Sequence, residues 1–201
     1  MEFRDVVRQR RMVRRFSGEP VDPETVDRLL DHAVRAPSAG FTQGWSFLVL
    51  TTDEERDRFW AAATPPDSAR DLSTWLAGMR TAPVLIVALT SKTAYVGRYA
   101  EPDKGWTDRD EARWPVPYWH VDAGMASLLM LQTAVDEGLG ACFFGVDGGR
   151  VAAFRDAFDV PQEWSPTGVV AVGHPEAGGA KGSPARRRRK PMDDVVHRGA
   201  W

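Results

Sequence analysis

The segment from Trp119 to Glu137 is apolar nearly all round, with Val121, Ala123, Met125, Ala126, Leu128, Leu129, Met130, Leu131, Ala134 and Val135 spread over every face of a helix. Such a helix has to be covered on most sides, by its own core or by a second subunit. A chain of 201 residues holds one domain with an ordinary core, or one protomer of an intimate dimer, and leaves no room for a second full domain. This helix exceeds what one small domain needs, so the sequence predicts an obligate homodimer. Gly138 and Gly140 end it.

Shorter elements surround that helix. Phe3, Val6 and Val7 at i, i+3 and i+4 give a short amphipathic helix over 2–9. Asp22 followed by Pro23 starts another, whose apolar face is Val26, Leu29, Leu30, Ala33 and Val34. Pro37 stops it, because the residue before proline avoids helical geometry. Phe47 to Leu50 reads as a buried strand, and Thr52 with Glu55 spells the capping box of a helix that carries Phe59 and Trp60. A helix through Leu72, Trp75, Leu76 and Met79 precedes a second strand over Val84 to Leu89. Ala141 to Gly145 and Thr167 to Gly173 are the remaining strands, with a helix from Arg150 to Phe158 between them. Helices and short strands alternate without a βαβ repeat, which suits a single α+β domain with a mixed central sheet flanked by helices.

Two stretches fit no simple period. Between Thr90 and Tyr118 the aromatics Tyr95, Tyr99, Trp106, Trp114 and Tyr118 lie among charges, glycine and prolines. A long aromatic loop of this kind is expected to form a lid or pocket wall rather than a disordered linker. Residues 178–201 read as a C-terminal extension carrying the basic block Arg186 to Lys190.

A denser basic cluster lies near the start. Arg8, Arg10, Arg11, Arg14 and Arg15 put five arginines into eight residues at a helix-to-loop junction. Guanidinium groups stay charged and offer planar forks of donors, so such a cluster can cradle a phosphate or carboxylate. A solvated basic face is the plainer reading of an arginine run taken alone. Basic and acidic residues nearly balance at 26 against 28, so an anion site has to be local and nucleic acid is not an expected partner. Cys142 is the only cysteine, which excludes an intrachain disulfide framework and suits a reducing cytosol. His32, His120, His174 and His197 show no ligand spacing, so no metal site is expected. Neither a signal peptide nor a membrane span is expected, which gives a cytoplasmic chain.

Four separated landmarks join these pieces. They are Arg10-Arg11-x-x-Arg14, the run Ala36 to Gly40 with Gln43 and Trp45, the run Gly138 to Cys142 with Gly145, and the terminal Arg189-Lys190-Pro191-Met192. In order and spacing they resemble the FMN-dependent nitroreductase family over most of the chain. The resemblance implies an intertwined homodimer with FMN at the subunit interface and NADPH or NADH as electron donor. A nitro, quinone or enone-type small molecule is the implied acceptor. Carried onto this chain, Arg10 and Arg11 would hold the flavin phosphate, and Arg14 would lie near the ribityl chain and pyrimidine edge, where a cation stabilises reduced flavin. Pro37, Ser38 and Ala39 would reach the cofactor from the other subunit. Phe143, Phe144 and Gly145 would lie along the flavin face, with the Phe144 N–H as donor to the ring. Arg187 and Arg189 would return to the phosphate. No side-chain nucleophile is required, so no catalytic residue is assigned.

Departures from the pattern are informative. Met12 stands where the family commonly has a flavin-binding Ser, and a thioether cannot donate. Phe41 and Gly44 replace a common Asn and Pro. The arrangement Gly40-Phe41-x-Gln43-x-Trp45 is similar instead to that of the related flavin-cleaving synthase of dimethylbenzimidazole. That synthase activity is one alternative function, and non-catalytic binding of flavin or nucleic acid is another. Gly138-Leu139-Gly140 follows a helix and lacks the third glycine of a dinucleotide fingerprint. Ser38 has no nucleophile elbow around it. His120 and Asp122 either line the pocket or are satisfied structural groups, the second reading being the stronger.

Overall fold

The computed structural model describes residues 1–65, 72–177 and 188–201. Helix α1 (Phe3–Gln9) leads into an extended basic segment, and α2 (Pro23–Ala33) starts as the sequence predicts, with Asp22 accepting from the Glu24 N–H at 2.9 Å. Strand β1 (Trp45–Leu50) is followed by α3 (Asp53–Ala63), whose capping box closes through Thr52 and Glu55. Next come α4 (Leu72–Met79), β2 (Val84–Thr90) and α5 (Lys92–Tyr99). The long α6 (Tyr118–Asp136), β3 (Gly140–Phe144), α7 (Val151–Phe158) and β4 (Ser165–Gly173) complete the core.

The strands form one sheet in the order β1-β2-β4-β3, and every pairing between them is antiparallel. Among the described residues the expected mixed character is confined to a single parallel bridge, in which Met12 of the N-terminal segment pairs with Ala141 of β3. Each face carries a core. On one side Val26 and Leu29 of α2 and Met130 and Ala134 of α6 pack on Ile86, Val170 and Val172. On the other, Phe59, Trp60 and Phe154 of α3 and α7 pack on Leu85, Val87 and Ala171. With helices on both faces, β2 is buried at every position, which is why its sequence is an unbroken apolar run rather than an alternating one. Each fully buried Val, Leu or Ile contributes about 1.5–3 kcal/mol.

Helix α6 is covered on one side only. Ala123, Ala126, Met130 and Ala134 are buried, whereas Val121 and Leu128 remain exposed, as do Phe3 and Val7 on neighbouring α1. Residues 90–118 are not an irregular loop. They hold the eight-residue helix α5 and a 3-10 turn at Glu111–Arg113, around which the aromatics close on one another. The C-terminal residues 188–201 are exposed throughout. Among the described residues no helix is long and apolar enough to cross a membrane.

Candidate functional site

The basic segment is fastened to the sheet by its own backbone. Val13 donates its N–H to Ala141 O at 2.9 Å, beside the Met12–Ala141 bridge. This approach needs a glycine at position 140, since a Cβ there would lie 2.7 Å from the Val13 side chain. Met12 turns its sulfur to the edge of β3, where it accepts the Phe143 N–H at 3.4 Å. The thioether that cannot replace a hydroxyl donor therefore serves as an acceptor, a use the sequence did not suggest.

Among the arginines the environments differ. Arg11 is exposed, and Arg14 is half-buried with Nη1 donating to Met12 O at 3.2 Å. Arg10 is half-buried too, and its Nη1 is shut from water with no hydrogen-bond partner among the described residues. An orphaned guanidinium nitrogen is costly, and a bound anion is the ordinary way to satisfy it. Cys142 lies close by. Burial pushes its thiol up, partly opposed by the Arg14 charge, so it stays a neutral core group.

Beyond the bridge, β3 leads out of the sheet through Phe143, Phe144 and Gly145, and its two rings part. Phe143 joins the core under α6, while Phe144 turns to the opposite face. There it stacks on Trp60 with ring centroids 5.5 Å apart and planes 9° from parallel, and Trp75 meets it edge-on at 5.5 Å. A cleft of about 300 Å³ opens between these three rings and Gly145, Val146 and Asp147. Helix α4 ties it to the basic segment, because Gly78, one turn after Trp75, abuts the Arg14 carbonyl. A larger cleft of about 620 Å³, near Gly18, Asp27 and Pro83, contains none of the sequence-predicted residues. Its cation Arg56 is already engaged by the Thr51 and Pro83 carbonyls and by Asp53.

The Pro37–Phe41 stretch is built separately. Ala39–Phe41 is a 3-10 turn in which Gly40, Phe41 and then Gln43 adopt left-handed φ of 62°, 54° and 52°. For Phe41 and Gln43 this costs about 1 kcal/mol each or more, and it persists only where neighbours over-determine it. Ser38 Oγ accepts the Gln43 N–H at 2.9 Å, and Arg98 Nε donates to Gly40 O at 2.9 Å. Asp122 accepts the Ala39 N–H at 2.7 Å and the Tyr95 hydroxyl at 2.8 Å through a single oxygen. Asp122 is thus a satisfied structural group, whereas His120 stays largely exposed with Nδ1 3.0 Å from Thr167 Oγ1. Phe41 is thrown outward, 76 % exposed, and Pro37 is exposed beside it.

The predicted residues therefore fall into groups. Met12 bridges to Ala141 and accepts the Phe143 N–H, which brings the segment that carries Arg10, Arg11 and Arg14 to the strand that runs on through Phe144 to Gly145. Pro37, Ser38, Ala39 and Phe41 sit on a turn held by α5 and α6. Arg189 lies exposed in the C-terminal segment, and Arg187 is outside the described residues. Among the described residues no group of histidine, cysteine and carboxylate side chains could hold a metal ion. Sequence reasoning placed Trp60 and Trp75 on helices without a role at the cleft, counted Tyr95 only among the pocket-wall aromatics, and missed Arg98; the spacing of Tyr95, Arg98 and Tyr99 at i, i+3 and i+4 was the available signal.

Known proteins resemble this chain in sequence and fold. The chain is 25% identical over 178 residues to a Methanothermobacter thermautotrophicus protein provisionally named NADH dehydrogenase/NAD(P)H nitroreductase, covering 87% of this chain and 78% of that one. It is 31% identical over 178 residues to the 5,6-dimethylbenzimidazole synthase of Rhodospirillum rubrum, covering 83% and 78%. A structure of a provisionally named nitroreductase from Desulfovibrio desulfuricans in complex with FMN superposes with a TM-score of 0.73 at 25% identity, covering 100% of this chain and 98% of that one. With the family model matched over residues 7–174, this chain belongs to the nitroreductase family.

Proposed function

We propose that this protein is an FMN-dependent oxidoreductase that takes electrons from NADPH or NADH and delivers them to a nitro, quinone or enone-type small molecule. The observation that carries the reading is the buried Nη1 of Arg10, without a partner among the described residues, in a basic segment fastened to β3. Those residues fit the cofactor's most demanding feature, its phosphate dianion. Arg10 and Arg11 would hold the phosphate, with Arg187 and Arg189 returning to it from the C-terminal segment. Arg14 would keep a fixed positive charge near the pyrimidine edge of the ring. Phe143, Phe144 and Gly145 would form the surface along which the ring lies, and Met12 orders that surface by holding the Phe143 N–H. When bound, FMN supplies the hydride and electron chemistry.

The reading includes a second copy of the chain. Phe3, Val7, Val121 and Leu128 leave an apolar strip exposed along α1 and α6, and a partner subunit would cover it. Such a partner would also bring Pro37, Ser38, Ala39 and Phe41 to the cofactor from outside.

Equilibrium dialysis against FMN and riboflavin tests the assignment, because the two differ only in the phosphate. FMN should bind at least tenfold more tightly, the worth of one charge-assisted contact. Equal affinities would remove Arg10, Arg11, Arg187 and Arg189 from the phosphate. Cleavage of the flavin itself is a second reading, favoured by Gly40-Phe41-x-Gln43-x-Trp45 and by the 31% identity to the Rhodospirillum rubrum synthase. Aerobic incubation with FMN and excess reductant, followed by chromatography for dimethylbenzimidazole, decides between them.

A further inference from the structure

Asp122 is 1 % exposed on a helix whose other buried side chains are small or apolar. A carboxylate in such surroundings has to be held by donors. Its two donors come from different elements: the Ala39 N–H from the strained turn at 2.7 Å and the Tyr95 hydroxyl from α5 at 2.8 Å. Tyr95 is itself fully buried, and its ring lies so close to Gly44 that a Cβ there would meet it at 2.5 Å. One turn further along α5, Arg98 holds Gly40 O while both its Nη groups grip Asp103 at 2.7 Å, and the Tyr99 ring closes on Gly40. The turn is thus gripped from two sides, by α5 through Tyr95, Arg98 and Tyr99, and by α6 through Asp122.

We propose that Asp122 is a positioning residue which, by joining the Ala39 N–H to the Tyr95 hydroxyl, holds the Ser38–Gln43 turn in its left-handed shape ready for the flavin site of a partner subunit. The proposal rests on the flavin reading above. Without the carboxylate the Ala39 N–H loses its acceptor on α6, and the turn, still held at Gly40 by Arg98 and Tyr99, loosens from its Ala39 end. Phe41 then loses the direction in which it is presented, so cofactor affinity falls although no arginine has changed.

The test compares Asp122→Ala, Asp122→Asn and Tyr95→Phe with Thr133→Ala, a control on the same helix that removes the buried hydroxyl bonded to Leu129 O. Four readouts are taken on each full-length protein: FMN affinity, riboflavin affinity, thermal midpoint and amide hydrogen exchange at Ala39–Gln43. Asp122→Ala should weaken FMN and riboflavin alike by about tenfold and speed exchange across the turn. Asp122→Asn, whose amide oxygen still accepts, should restore most of the affinity. Tyr95→Phe should weaken both ligands less than Asp122→Ala. Thr133→Ala should lower the midpoint and leave affinity and turn exchange unchanged. If Asp122→Ala does not fold, Asp122→Asn and Tyr95→Phe decide: affinity tracking the thermal midpoint across all variants, or turn exchange identical to the parent, overturns the positioning role. A parent that binds neither FMN nor riboflavin defeats the flavin reading and the cofactor part of this proposal with it. Turn exchange in the variants still decides whether Asp122 holds the turn.

Discussion

Arg10 presents a donor that folding has removed from water without giving it an acceptor. Because the unliganded chain gains little from that nitrogen, Arg10→Ala should leave the thermal midpoint of the apoprotein unchanged or slightly higher. The same change should weaken FMN at least tenfold, and the upward shift in midpoint that FMN gives the parent should shrink accordingly. Calorimetry with and without FMN checks both halves. Tyr95 gives a second prediction at this scale. Burial pushes its phenol well above the ordinary tyrosine value, helped by the Asp122 carboxylate. Above about pH 10 the unfolded chain therefore surrenders the Tyr95 proton while the folded chain keeps it. Stability consequently falls as pH rises through that region, by at most about 1.4 kcal/mol per pH unit from this group. Urea titrations at successive alkaline pH values should show the decline in the parent and a flatter profile in Tyr95→Phe. The arginine cluster is legible in the sequence because charge density is a local property. Asp122 is not, because its meaning depends on Ala39 and Tyr95, which only the fold brings together.

At the scale of elements, the apolar runs locate all four strands, and the capping signals at Asp22 and Thr52 mark true helix starts. Helix α5 escapes the pattern for a physical reason. Tyr95 is its one fully buried residue, and much of the rest of its hold on the body is polar or aromatic, as in the Arg98 hydrogen bond to Gly40 O, the Lys92–Glu111 pair and the Tyr99 ring, so no apolar stripe records it. The aromatics after it likewise read as a pocket wall but pack mainly on one another. Trp114 lies 4.6 Å from Tyr99 and 5.6 Å from Trp106, and it meets Tyr95 and Trp119 at 6.0 Å. Trp114→Ala should therefore act on stability, lowering it by about 3 kcal/mol in denaturant titrations, in the range of large aromatic truncations. Tyr118 is 43 % exposed at the start of α6, with its ring edge-on to Trp114 at 6.2 Å, and in the proposed reading it would stack on a flat substrate. Tyr118→Ala should raise the apparent KM for aromatic acceptors with little change in stability; a stability loss as large as that of Trp114→Ala would place it in the packed cluster instead.

For the whole molecule, the half-covered α6 and the outward-facing Phe41 turn both support the proposed reading in which a second copy completes the site. The all-round apolar pattern of α6 was the readable sign, since this chain's own core covers only one side of it. How the Ser38–Gln43 turn and the β3 exit would be brought together was not readable, because they belong to separate parts of one protomer. Light scattering at micromolar concentration should give twice the chain mass of 22.3 kDa. The most direct test of the account is an anaerobic titration of the FMN-reconstituted protein with NADPH, followed in the visible flavin band. It predicts that the band bleaches with one equivalent of NADPH per bound FMN and returns when a quinone is added. A reconstituted protein whose flavin band neither NADPH nor NADH diminishes would contradict it.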